Sequence, residues 1–248
     1  MVTDFIATFY LLLAIFSRTY ASLQCFNDCH FTQSLDSPLT IPKECNKTRS
    51  DTLCQVLSKI DYKQNLLKVT LGHEIFDDRK RALLDKYDYT QETTTIDSTS
   101  VRTTLFYSCT LEDQCEGKFL LDTVSKVIKQ DYTSMQQRLM DLLGSSEPSL
   151  ITCRTFNQTV QCNGTCASER LQVINEETSQ PSHIHDSLFC RSDKTSPNVV
   201  IVTAKVPRNN RTILSRTIDF DCSKNNCNSL ETTDRVEKIV NENYKAFY

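Results

Sequence analysis

The chain carries one pattern twice, and that constrains its fold more than any other feature. Residues 104–132 read TLFYSC, a cysteine pair at Cys109 and Cys115, then DTVSKVIKQDY. Residues 217–244 read TIDFDC, a pair at Cys222 and Cys227, then DRVEKIVNENY. In both, the second cysteine stands seven residues before an aspartate (Asp122, Asp234) and seventeen before a tyrosine (Tyr132, Tyr244). Each copy reads as a strand, a cysteine pair and an amphipathic helix, the unit that closes a module. Repeats set architecture before any single residue does. The fold class expected is α+β: two disulfide-rich modules, each of short antiparallel strands closed by a cysteine pair and an amphipathic helix.

Residues 5–16, FIATFYLLLAIF, form one apolar run. Thr19 and Ala21 then place small residues where cleavage after Ala21 needs them. Residues 1–21 therefore read as a signal peptide, although Asp4 stands where a basic residue is usual. Twelve apolar residues fall short of the ~20 that a membrane span needs. No later run is apolar enough, and the polar C-terminus carries no lipid-anchor signal. The expectation is an extracellular, secreted protein with no membrane anchor.

All twelve cysteines follow residue 21. Cys25, Cys29, Cys45, Cys54, Cys109 and Cys115 precede a linker at 144–149; Cys153, Cys162, Cys166, Cys190, Cys222 and Cys227 follow it. An even split in a secreted chain implies three disulfides in each of two modules, 22–143 and 150–248. Zinc sites would want CxxC pairs, and there are none. Cys109–Cys115 and Cys222–Cys227 should pair locally, with no bridge between modules. Of three pairings for the remaining first-module cysteines, the nested one is favoured, Cys25–Cys54 with Cys29–Cys45. The second module's other four are left open. Sequons at Asn46, Asn157, Asn163 and Asn210 mark expected glycosylated surface loops.

The net charge is −3, and no stretch is strongly basic, so nucleic acid and anionic membrane are poor partners. Four glycines leave little for phosphate-binding loops. No G-x-S-x-G, H-E-x-x-H or P-loop is present, and no cofactor is expected. Glu74/Asp77/Asp78 and Glu112/Asp113 are carboxylate pairs that could do acid–base work, but also ordinary surface pairs. His183, His185 and Asp186 are the metal candidates. Residues two apart on an extended segment share a side, but no third ligand is identifiable. Otherwise they are exposed loop residues, as His30 and His73 are expected to be.

Along the chain, 22–54 reads as irregular and stapled. Two runs within 55–71 read as a hairpin turning at 63–65. Residues 75–89 suggest a short helix whose charge run, 77–81, is a solvated face or a dibasic processing site lacking its upstream arginine at Asp78. The threonine-rich 90–100 reads as a long loop. The stripe Leu120, Val124, Val127, Ile128, Tyr132, Met135, Leu139 and Leu143 predicts one helix over 119–143. A strand at 168–175 should place Leu171, Val173 and Asn175 on one face; 176–187 reads as a polar loop, and 198–206 as the best strand. Val236, Ile239, Val240 and Phe247 should line the buried face of the tail helix.

The ending Asp221-Cys222-Ser-Lys-Asn-Asn-Cys227-Asn228 resembles the close of three-finger domains, the snake-toxin and urokinase-receptor-like family. Those end in a cysteine, four residues, a cysteine and an asparagine. The chain departs from that pattern at four places, one being that the family has no closing helix of this length. Asp221 replaces a usual cysteine, Cys25 and Cys29 are separated by three residues instead of two, and Glu116 replaces the asparagine in the first module. The resemblance implies protein-binding fingers and no catalysis. The leading expectation is thus a secreted, glycosylated, disulfide-stapled protein that binds an extracellular protein or glycan. The alternative is a small secreted hydrolase without a recognisable motif.

Overall fold

The structure, a computed structural model, describes residues 22–72, 88–144, 150–174, 181–192, 196–208 and 211–244, side chains excepted at 181, 183, 184, 206–208, 211 and 212. The strands are β1 Leu23–Phe26, β2 Cys29–Ser34, β3 Thr48–Asp51, β4 Cys54–Asp61, β5 Leu66–Leu71, β6 Tyr89–Asp97, β7 Val101–Cys109, β8 Leu150–Arg154, β9 Thr159–Asn163, β10 Thr165–Ile174, β11 Pro181–Arg191, β12 Asn198–Arg208 and β13 Arg211–Cys222. Helix α1 joins Cys115–Phe119, a π-helical turn at Leu120–Val124, and Ser125–Val127. Helix α2 is Thr133–Leu143, and α3 is Leu230–Asn243. The signal peptide, residues 75–87 of the expected 75–89 helix, His73 and the Glu74/Asp77/Asp78 cluster lie outside the described residues, as do Asn175, Asn210 and Phe247; Tyr89, the expected end of that helix, opens β6 instead.

Nine strands form one antiparallel sheet, in the order β11-β10-β13-β12-β6-β7-β4-β5-β2. Two four-stranded blocks within it, β5-β4-β7-β6 and β11-β10-β13-β12, use one connectivity. They meet where β6 pairs with β12. Thr104 pairs with Thr93, and Thr217 with Val202; Thr93 and Val202 then pair with each other. A local twofold axis therefore passes through the seam. It stands perpendicular to the sheet, so equivalent side chains point to the same face. The residue before the second cysteine is left-handed in both halves, Gln114 at φ 53° and Asn226 at φ 54°.

Three expectations need correction here. The threonine-rich 90–97 segment is a central strand, not a loop. Thr and Ile are β-branched and fit a pleated surface, and Thr90, Glu92, Thr94 and Ile96 alternate inward. The strands are also longer than expected, β13 having twelve residues. Finally, the apolar stripe over 119–143 is not one helix. Leu120, Val124, Val127 and Ile128 pack into a core with Val56, Ile60, Leu67 and Leu105. Tyr132, Met135, Leu139 and Leu143 pack into a second core with Val199, Ile201, Phe220, Val236 and Val240. The chain breaks between the two, and the Asp131 carboxylate accepts a 2.9 Å hydrogen bond from the Thr133 amide to start α2. Such side-chain caps satisfy amides that the first turn leaves without partners.

The disulfides are Cys25–Cys54, Cys29–Cys45, Cys109–Cys115, Cys153–Cys166, Cys162–Cys190 and Cys222–Cys227. No described helix is long and apolar enough to cross a membrane. In both halves the helices cover the same face of the sheet.

Candidate functional site

The opposite face carries no helix among the described residues. Side chains alternate along a strand, so the partners of the inward set point there, and the register aligns them into rows. One row reads Lys68, Lys59, Thr104, Thr93 across β5, β4, β7 and β6. The next reads Leu66, Asp61, Arg102, Thr95. The 62–65 turn brings the two lysines opposite one another, with Asn65 at φ 54° supplying the left-handed residue. A depression of about 430 Å³ lies over these rows, lined among others by Lys59, Asp61, Gln64, Lys68, Thr93 and Arg102.

The electrostatics are uneven. Arg102 reaches Asp97 at 3.4 Å. Burial raises the Asp97 carboxyl, but hydrogen bonds from Thr99 and Ser100 outweigh it and hold the group below its ordinary value. Asp61 accepts from the Gln64 amide at 2.8 Å. Lys59 and Lys68, both exposed, have no ion-pair partner among the described residues. Like charges directly opposed across strands are destabilising. The face therefore tolerates a repulsion that an anion would relieve. None of the described sequon asparagines, Asn46, Asn157 and Asn163, sits on these rows, and all three are exposed.

The polar groups singled out in the sequence are placed elsewhere. Residues 181–191 form edge strand β11, not a loop, with Ile184 skipped where the register shifts between Leu171 and Gln172. Asp186 is held by Arg170 through two bonds of 2.8 and 2.9 Å. His185 is exposed, bonds Ser187 at 2.9 Å, and lies against the Phe156 ring at 6.3 Å. Glu112 and Asp113 do not act together: Glu112 pairs with Lys118 at 3.3 Å, and Asp113 accepts from the Gln24 amide at 2.9 Å. His30 bonds Thr70 at 3.1 Å.

The inward face of β10 is polar, and Leu171 and Val173 share the other face as expected. Leu171 and Val173 are half-exposed, while Ser168, Arg170 and Gln172 are buried beneath α3. The reason is that the underside of α3 is itself polar there. Arg170 bridges Asp186, Glu237 and Asp234; Gln172 bonds Glu237 at 2.6 Å; Arg216 bonds Gln172 and Asn241. Hydrogen bonds donated to Asp186 first, against the cost of burial, push the Arg170 guanidinium pKa up. Every member has a partner, which makes the network a fastening and not a reactive centre.

A second hollow, of about 280 Å³, borders the Cys109–Cys115 bridge and is walled by the stacked rings of Tyr107 and Phe119, 4.3 Å apart. Burial first, then Asp88, Glu112 and Glu116, push the Tyr107 phenol up to about 12. Its carboxylates serve local structure: Asp88 receives the Thr110 amide at 2.9 Å.

The lysine pair was missed in the sequence, yet it had a signal. Lys59 and Lys68 each stand three residues from a 62–65 turn, one residue wider than the expected 63–65 separator, so a hairpin closing there sets them opposite. Compared with family models, with curated proteins and with solved structures, the chain matches none.

Proposed function

We propose that this is a secreted, glycosylated and non-catalytic binding protein, made of two three-finger-like units side by side, whose helix-free sheet face receives an extracellular macromolecule. The observation that carries the reading is that face itself. It is broad, clear of the described sequons, and bears an opposed lysine pair that is in no ion pair among the described residues.

The three-finger likeness has support in the second half. Three successive hairpins, β8–β9, β10–β11 and β12–β13, leave a base tied by Cys153–Cys166, Cys162–Cys190 and Cys222–Cys227. Asp221 stands where the family has a further cysteine, and it is fully buried, bonded to Arg191 at 2.9 Å and Thr165 at 3.0 Å. A charge-assisted staple thus occupies the place of a covalent one.

One substitution tests the binding face. Lys68→Asn, followed by Val69 and Thr70, writes a sequon onto it. Secreted from animal cells, the wild type should bind cell surfaces or matrix saturably and shrink in mass on glycosidase treatment. The glycan-bearing variant should not bind, and adding Thr70→Val, which removes the sequon, should separate glycan from lysine loss. Undiminished binding by the glycan-bearing variant, or none by the wild type, would count against the reading.

A further inference from the structure

We propose that the depression over β4–β7 is a binding site for an anionic polysaccharide, with Lys59, Lys68 and Arg102 as its cationic contacts. This rests on the reading of the helix-free face as the binding surface, and it names the ligand class.

The cations and hydroxyls stand side by side in register, two lysines followed by two threonines. Lys68, Lys59, Thr104 and Thr93 occupy four neighbouring strands, and three inter-strand steps of about 4.8 Å span about 14 Å, the reach of a short run of sugar rings. Arg102 and Thr95 stand in the next row. Sulfate or carboxylate groups would meet the ammonium and guanidinium groups, while sugar hydroxyls would meet the threonines.

The negative groups nearby are already engaged. Asp97 is saturated by Thr99 and Ser100 and touches Arg102 from the side, and Asp61 holds the Gln64 amide. Neither lysine is in an ion pair among the described residues, so both ammonium groups are open to a ligand.

The surface suits a glycan better than an acidic peptide. Peptide and protein hot spots centre on aromatic or large apolar anchors in desolvated pockets. The rows over this depression offer only a half-buried Leu66. The exposed apolar side chains Leu111, Phe156 and Leu230 belong to other segments.

The overall charge of −3 opposes unspecific attraction to polyanions, so binding should depend on this site. A second basic hollow, between α2 and α3, carries Arg138, Arg235 and Lys238. Two of those cations make a control of equal charge.

The experiment uses the full secreted protein and a size-defined heparin fragment, titrated at physiological and at low salt. Wild type should bind, more tightly at low salt. Lys59→Gln/Lys68→Gln should weaken binding by at least about tenfold, the loss of two charge-assisted contacts, while Arg235→Gln/Lys238→Gln should change it less than about threefold. Equal losses in both double variants would show diffuse attraction and overturn the site. No heparin binding by wild type, with glycan-blocked cell or matrix binding intact, would overturn the ligand class and leave the face reading standing. Failure of both would remove the face reading itself. Tight binding to an acidic peptide with none to heparin would assign the lysines to a protein partner, and the proposal would fall.

Discussion

The residue after each closing cysteine pair differs between the halves, and the difference is instructive. In the second half it is Asn228, in the first Glu116, and both are fully buried. Asn228 uses both ends of its amide. Its oxygen accepts from the Arg154 amide at 2.9 Å, and its nitrogen donates to the Arg154 and Ala167 carbonyls at 2.8 and 2.9 Å. It stitches β8 to β10 beside the Cys153–Cys166 bridge.

Glu116 accepts from the Phe26 amide at 2.7 Å, the matching position on β1, but its other oxygen has no hydrogen-bond partner. An ionised carboxylate cannot donate to a carbonyl. Burial therefore pushes the Glu116 carboxyl up to about 7, although the Phe26 amide and its own amide pull the other way. The second half is closed by a neutral clasp at any pH. The first is closed by one that needs a proton.

The comparison can be broken at its strong end first. Asn228→Ala strips two buried carbonyls and an amide of their partner. It should cost about 3–5 kcal/mol, since each orphaned group carries about 1–3 kcal/mol. Urea unfolding measures this, and a loss below about 1 kcal/mol would mean that water replaces the clasp.

Glu116→Gln should do the opposite at alkaline pH. The folded value is raised from 4.5 to about 7, so the native state binds the proton more tightly than the unfolded one. The destabilisation is absent below the unfolded value, grows as pH rises through 4.5 to 7, and is complete above 7. At pH 8 the glutamine should be more stable than wild type by roughly 1–3 kcal/mol, and the gain should vanish near pH 4.5. Thermal melts of both proteins across that range decide it. A gain that does not change with pH would show that Glu116 is not the titrating group.

Packing gives a matched pair of smaller effects. Val127 in the first core and Ile239 in the second lie at equivalent places on α1 and α3. Replacing either by Ala should destabilise by roughly 1–3 kcal/mol, and less at Ile239, which keeps 8% exposure against 0% at Val127. Unchanged melting with lost ligand binding would turn that stripe into a recognition face.

The smallest effect concerns Asp234, which meets Arg170 at 2.8 Å but is 67% exposed. Asp234→Asn should change stability by less than about 0.5 kcal/mol, because Asp186 and Glu237 still hold the guanidinium. A larger loss would place the weight of the network on its outer member.

What the sequence disclosed and what it hid follow one rule. Local chemistry was legible. The tail helix has an apolar stripe at Val236, Ile239 and Val240, and it follows a cysteine pair five residues apart. Context was not. The threonines of β6 look like a loop until neighbouring strands on both sides use their amides. The inner face of β10 looks like its outer face, because Arg170 and Gln172 become buriable only once Glu237, Asp186 and Arg216 surround them. The break before α2 is invisible in a stripe that stays in phase, since phase says nothing about which of two cores a residue enters. The lysine pair was written in the hairpin, and only the pairing of its strands gives it meaning.

The seam between β6 and β12 has a consequence for solubility. A strand at the rim of a sheet offers bare amides and carbonyls to any other chain. Each block, taken alone, would present such a rim at its third strand, and two copies of one block could use it to dimerise. Joining both blocks in one polypeptide turns that bimolecular event into an intramolecular one at a high effective concentration. Among the described residues it leaves the nine-stranded sheet two rims. One is β2, six residues long; the other is β11, interrupted at Ile184 by its register shift. A short rim and a kinked one are poor templates, so the same pairing that unites the halves spares the protein from growing by edge addition.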